Sequence, residues 1–152
     1  MEFLYCLIYL LFISVFIYVI GRIYPRKYIF ENAFPFNSFA FEKQGKIYDK
    51  INIKKWKTKL PDASLVMCKI FPKHILKKRI DKKTCIPLLI KETCVAEATH
   101  FFACIFGFGC TYIWRKNGGF ILSVAYAIAN IPFILIQRYN RPRLKRALIK
   151  FI

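Results

Sequence analysis

Glu92-Thr93-Cys94-Val95-Ala96-Glu97-Ala98-Thr99-His100 stands where a long basic segment gives way to an apolar run, Phe101 to Trp114. If that run crosses a membrane, Glu97 and His100 lie at or just inside the lipid boundary. Ionisable side chains are costly there and are by default candidates for a functional site. Glu97 and His100 are three residues apart, so a helix places them on one face. Thr93 and Cys104 each lie four residues beyond one member of the pair and extend that face.

Two further runs flank this one. Residues 3–20 are apolar apart from Ser14, a length that suits one helical crossing. The run lacks the positive start and small-residue cleavage site of a signal peptide and reads as a retained transmembrane helix. Residues 94–114 form the second crossing and residues 120–136 the third, with a kink expected at Pro132. Arg115-Lys116-Asn117-Gly118-Gly119 between them reads as a tight turn, and Gly107-Phe108-Gly109 as a place of close helix packing. The expectation is one all-α integral membrane domain over residues 1–152, with three transmembrane helices.

The chain is 57% hydrophobic and 18% aromatic, yet carries a formal net charge of +18 over 152 residues. A membrane protein with basic cytoplasmic loops combines those values; a soluble domain of this size does not. Eighteen of the 26 Lys and Arg residues fall in the loop of residues 22–91, six in the tail from Arg138 and two at Arg115-Lys116. Positive charge stays on the cytoplasmic side, which puts the N-terminus outside and the long loop and tail (residues 137–152) inside, in the plasma membrane. The same charges fit anionic lipid and not nucleic acid, because they are interleaved with apolar spans and no nucleic-acid motif is present.

Within the loop, Phe34-Pro35-Phe36-Asn37-Ser38-Phe39 is a rigid aromatic turn. From Lys43 to Lys59, Ile47, Tyr48, Ile51 and Trp56 recur at roughly helical spacing among lysines, the pattern of a basic amphipathic helix in the interface, ended by Leu60-Pro61-Asp62. Leu65 to Ile80 is a second semi-apolar stretch. The six cysteines form no CxxC pair and read as free, mostly buried thiols.

On this topology Glu92, Glu97 and His100 share the cytoplasmic face with Gln137, Arg138, Asn140, Arg141 and Arg143. His100 suits a general base and Glu97 its orienting carboxylate, with a structural polar pair as the plainer reading. Glu-x-x-His is also half of a di-iron motif, but the only other histidine, His74, has Lys-rich surroundings, so no metal site is expected. Cys104 is a possible nucleophile, and inert packing is the commoner role for such a cysteine. The arginines after Gln137 suit phosphate or serve as a plain cytoplasmic anchor.

Five blocks resemble a known family: Phe39-x-Phe41-Glu42-Lys43-x-Gly45-Lys46; Lys55-Trp56-Lys57-x-Lys59-Leu60-x-Asp62; Glu92-Thr93-x-x-Ala96-Glu97-x-x-His100; Asn130-x-Pro132; and Gln137-Arg138-Tyr139-Asn140-Arg141-Pro142-Arg143-Leu144. They resemble the glycosyl-4,4′-diaponeurosporenoate acyltransferases, small membrane proteins of bacterial pigment synthesis. The resemblance implies esterification of a sugar hydroxyl on a glycosylated carotenoid acid, the last step towards staphyloxanthin, with acyl-CoA as donor substrate and no cofactor. His100 would then deprotonate the acceptor, with Glu97 or Glu92 orienting it and Asn140 or Arg141 facing the oxyanion. Arg138, Arg143 and the lysines near Trp56, Lys55 among them, would hold the donor's phosphates, and Trp56, Gln137 and Asn130 would complete the substrate-binding set. The alternatives are a non-enzymatic membrane scaffold or lipid-binding subunit, and a small lipid methyltransferase or reductase.

Overall fold

The computed structural model describes residues 1–57, 82–115 and 117–150, without the side chains of residues 82–84. Among the described residues it is helical, with no strand, and three of its helices are long and apolar enough to cross a membrane. The expected helix end at Leu60–Asp62 and the semi-apolar stretch from Leu65 to Ile80, with His74, lie outside the described residues.

Helix α1 spans Glu2–Ile23. Its 22 residues extend about 33 Å at 1.5 Å each, close to the hydrocarbon thickness of a bilayer. Its lone serine hides its hydroxyl by donating to the Leu10 carbonyl at 2.6 Å. The helix stops at Tyr24, which precedes Pro25 and is extended, at φ −56° and ψ 125°, because the proline ring disfavours helical geometry before it.

After the loop come two one-turn helices, α2 (Ile47–Lys50) and α3 (Ile53–Trp56), then α4 (Lys82–Gly107), α5 (Cys110–Ile113) and α6 (Asn117–Ile149). The second crossing therefore differs from one unbroken helix over residues 94–114: α4 starts twelve residues earlier and breaks after Gly107. Close approach explains the small residues at the break. A Cβ on Gly107 would lie 2.6 Å from the Tyr126 ring, and one on Gly109 would meet the Tyr9 hydroxyl. Of the turn expected from Arg115 to Gly119, Arg115 lies in a turn, while Asn117, Gly118 and Gly119 begin α6, where the two glycines make room for the Trp114 ring and for the Trp114 and Cys110 carbonyls. Helix α6 continues without interruption through Pro132 and Pro142, so most of the basic tail is helical.

Two compact units divide the chain. The first joins Met1–Ile29 to Thr93–Gln137. Its centre is Cys6, Leu10 and Cys110, packed with Tyr9, Ile113, Trp114, Leu122 and Tyr126. Large apolar side chains such as Leu11, Phe12, Phe101, Ile105 and Ile121 point outward from it, as lipid-facing residues must.

The second unit joins Phe30–Glu92 to Arg138–Ile152. Here the amphipathic helix expected from Lys43 to Lys59 is broken into pieces. A 3-10 turn over Ala40–Gly45 carries positive φ at Lys43, Gln44 and Gly45, and Asn52 is left-handed between α2 and α3. Of the apolar residues of that pattern Tyr48 is buried and Trp56 half-buried, but Ile47 and Ile51 are exposed, and Ile53, outside the pattern, is buried instead.

Gly45 sits at φ +86°, with Pro142 only 2.9 Å from where a Cβ would stand. Replacement by alanine combines left-handed strain with that overlap. Gly45→Ala is expected to destabilise the second unit by about 1–2 kcal/mol, read as a lower unfolding midpoint of the detergent-solubilised chain.

Candidate active site

His100 lies on α4, in the first unit, half-buried. Its Nδ1 is 2.9 Å from Oδ1 of Asn130 on α6. Its ring stacks on Phe133 with centroids 4.8 Å apart and planes 12° from parallel. Asn130 can turn only one way here, because its Nδ2 donates to the Tyr126 carbonyl one helical turn back, at 2.9 Å. A flipped amide would set oxygen against oxygen. With Nδ2 so engaged, Oδ1 faces the imidazole as an acceptor, and the proton between them belongs on Nδ1 of histidine. Nε2 of the neutral ring is then the nitrogen with the free lone pair. Asn130, expected among the substrate contacts, thus holds the place at Nδ1 that the sequence assigns to Glu97.

Glu97 and Thr93 are buried on α4, and Cys104 is half-buried with its thiol 3.6 Å from the Ala127 carbonyl. Glu92 and Gln137 are half-buried. Neighbouring polar groups pair across helices: the Ser14 and Tyr126 hydroxyls are 2.7 Å apart, and Tyr9 donates to the Phe106 carbonyl at 2.8 Å. Phe133, Tyr126 and Ser14 are absent from the candidates read from sequence. The available signals are the lone serine of the first run and a tyrosine four residues before Asn130.

The basic candidates fall in the second unit, where the loop collars α6. Glu42, buried, accepts hydrogen bonds from the Phe39 amide at 3.0 Å, the Tyr48 hydroxyl at 2.5 Å and Arg138 Nε at 2.5 Å. Arg138 also donates from Nη1 to the Pro35 carbonyl and from Nη2 to the Asn37 carbonyl, each at 3.1 Å, and lies over the Phe39 ring. Arg141, also buried, donates to the Phe36 carbonyl and lies over the Phe36 ring. Both guanidinium groups thus tie the aromatic turn to the helix. Asn140 accepts from Lys57 Nζ at 3.2 Å, and Arg143 pairs with Asp49 at 2.7 Å. The Trp56 indole donates to the Ile51 carbonyl at 2.9 Å, and Lys55 is exposed beside it.

Burial alone would push the Glu42 carboxyl up. Hydrogen bonds from Arg138 and Tyr48, the Arg138 charge and the Phe39 amide outweigh burial and hold it below the usual carboxylate range. The Tyr48 phenol is pushed up, first by burial and then by the Glu42 carboxylate it serves.

Helices of spanning length, an imidazole oriented among them and a basic helix end define a small polytopic helical membrane protein. A family model described as glycosyl-4,4'-diaponeurosporenoate acyltransferase matches residues 25–150. Proteins of that name from Staphylococcus aureus strains MRSA252 and N315 are each 34% identical over 149 residues, covering 95% of this chain and 86% of the relative. No solved structure matches. The chain belongs to the glycosyl-4,4'-diaponeurosporenoate acyltransferase family, and so to the enzymes that transfer acyl groups rather than to non-enzymatic scaffolds.

Because Glu42 is held below its unfolded-state value, its contribution to stability is present at neutral pH. That contribution falls away as the pH drops past the unfolded value and then through the depressed one. Glu42→Gln leaves Arg138 buried without its carboxylate and is expected to cost about 3–5 kcal/mol. The variant's unfolding midpoint should also lose much of the acid dependence seen in the parent chain between neutral and acid pH.

Proposed function

We propose that the protein is a membrane O-acyltransferase that moves a fatty acyl group from acyl-CoA to a hydroxyl of a glycosylated lipid acceptor, with His100 as general base. The names of the relatives make the sugar of a glycosylated carotenoid acid the first acceptor to try. The observation that carries the assignment of the base is the His100–Asn130 pairing, which presents Nε2 as the acceptor nitrogen.

In the proposed reaction Nε2 takes the proton of the acceptor hydroxyl as its oxygen attacks the thioester carbonyl carbon. The carbon–sulfur bond then breaks, and the departing CoA thiolate receives the proton back from the imidazolium. The products are the ester and free CoA. The imidazolium keeps its Nδ1–H bonded to Asn130 throughout, so no reorientation is needed between the two transfers. Asn130 is a positioning residue. Glu97, buried one turn before His100, adds a favourable charge for the imidazolium when ionised. The distribution of positive charge supports a cytoplasmic loop and tail, the side on which acyl-CoA is made available.

Acyl transfer from acyl-CoA to a glycosylated acceptor should fall about 10²–10⁴-fold in His100→Ala, measured as free CoA released by protein inserted normally in membranes. Asn130→Leu should lower kcat by tenfold or more with little change in KM, while Asn130→Asp, which can still accept from Nδ1–H, should keep more activity. Undiminished turnover in His100→Ala rejects the base.

A further inference from the structure

We infer that the second unit carries a phosphate-binding site formed by Lys57 and Arg143 about the ring of Tyr139, with Asn140 steadying Lys57. Most cations of the α6 end are committed to the loop. Arg138 is discharged by Glu42, and Arg141 donates to the Phe36 carbonyl. Lys145 holds the Glu31 carbonyl and the Asn32 side chain, and Arg146 holds the Gln44 carbonyl. These groups fasten loop to helix.

Lys57 is different. Its ammonium touches only neutral groups among the described residues: the Asn140 amide oxygen at 3.2 Å and the Tyr139 ring, 5.0 Å from its centroid. Arg143 lies over the same ring at 4.0 Å. Tyr139 is 1% exposed, so the ring that gathers these two cations is itself fixed in the core. Asp49 pairs with Arg143 at a largely exposed position, where an ion pair is weak and easily exchanged. Burial holds the Lys57 ammonium below the usual lysine range, and the charges of Arg143 and Lys54 add to that effect. Among the described residues the arrangement is short of negative charge, and an anion between ammonium and guanidinium would relieve it.

Phosphate fits best. A guanidinium offers a fork of donors matched to phosphate oxygens, and an ammonium offers a compact charge beside it. A dianion also answers two cations where a carboxylate answers one. If the reaction proposed above is right, the ligand is the phosphate set of acyl-CoA, and that assignment rests on the reaction. An anionic lipid headgroup carries the same chemistry.

The test uses the full chain with Lys57→Gln, Arg143→Gln and, as a control, the exposed Lys50→Gln. CoA and pantetheine, which lacks phosphate, are titrated by calorimetry, and thermal stability is compared in nanodiscs of phosphatidylglycerol and phosphatidylcholine. The expected result is CoA binding weakened about tenfold or more in each of the first two variants but not in the control, and weak pantetheine binding that all the proteins share. KM for acyl-CoA should rise with kcat at saturation retained. Stabilisation by phosphatidylglycerol that depends on Lys57, without CoA binding, would keep the site and assign it to a headgroup. Folded Lys57→Gln and Arg143→Gln proteins that match the parent towards both CoA and phosphatidylglycerol overturn the site. Lys57-dependent CoA binding without acyl transfer would overturn the reaction and leave the site standing.

Discussion

A polar group among apolar helices in lipid must find a partner within the protein, because water is not there to supply one. In the first unit this requirement decides which side chains meet. Ser14 pairs with Tyr126, and Ser123 directs its hydroxyl to the Gly119 and Gly107 carbonyls at 2.8 and 3.1 Å. Asn130 spends Nδ2 on the Tyr126 carbonyl and Oδ1 on His100. The glycines at 107 and 109 let the tyrosine rings come close enough for the seam to form. The orientation of the histidine follows from this pairing: one amide, fixed by a helix carbonyl, fixes one imidazole.

The second unit solves a different problem. Its part of α6 carries Arg138, Arg141, Arg143, Lys145 and Arg146, a run whose mutual repulsion opposes any compact structure. A loop that offers backbone carbonyls, aromatic rings and the buried carboxylate of Glu42 absorbs most of that charge. Cation–ring contacts recur here, at Arg138 with Phe39, Arg141 with Phe36 and Arg143 with Tyr139, because a guanidinium plane packs on an aromatic face while keeping its edge free for hydrogen bonds. Lys57, whose contacts among the described residues are neutral, is where the proposed anion has a reason to bind.

The three spanning helices are legible in the sequence because long apolar runs have few other uses. Their ends are less so. The extension of α6 to Ile149 depends on loop residues some hundred positions earlier, such as Pro35, Phe36 and Glu42, and local hydropathy carries no trace of them. The expected helix from Lys43 to Lys59 is divided by left-handed conformations at Gly45 and Asn52, and Ile47 and Ile51 of its apolar face are exposed. At the candidate site, His100 and Asn130 both stand out as polar residues in apolar runs. Spacing along one helix suggests Glu97 as the histidine's partner. The contact at Nδ1 comes from thirty residues away, on another helix, and only packing reveals it.

Which nitrogen of one imidazole carries the proton decides whether the proposed proton transfer can occur. Nitrogen NMR of the chain reconstituted in bilayers, isotope-labelled at histidine and carrying His74→Gln so that a single ring reports, reads that directly. The neutral ring of His100 should hold its proton on Nδ1 and leave Nε2 bare. A ring protonated on Nε2 instead would place the lone pair against Asn130 and contradict the proposed proton transfer.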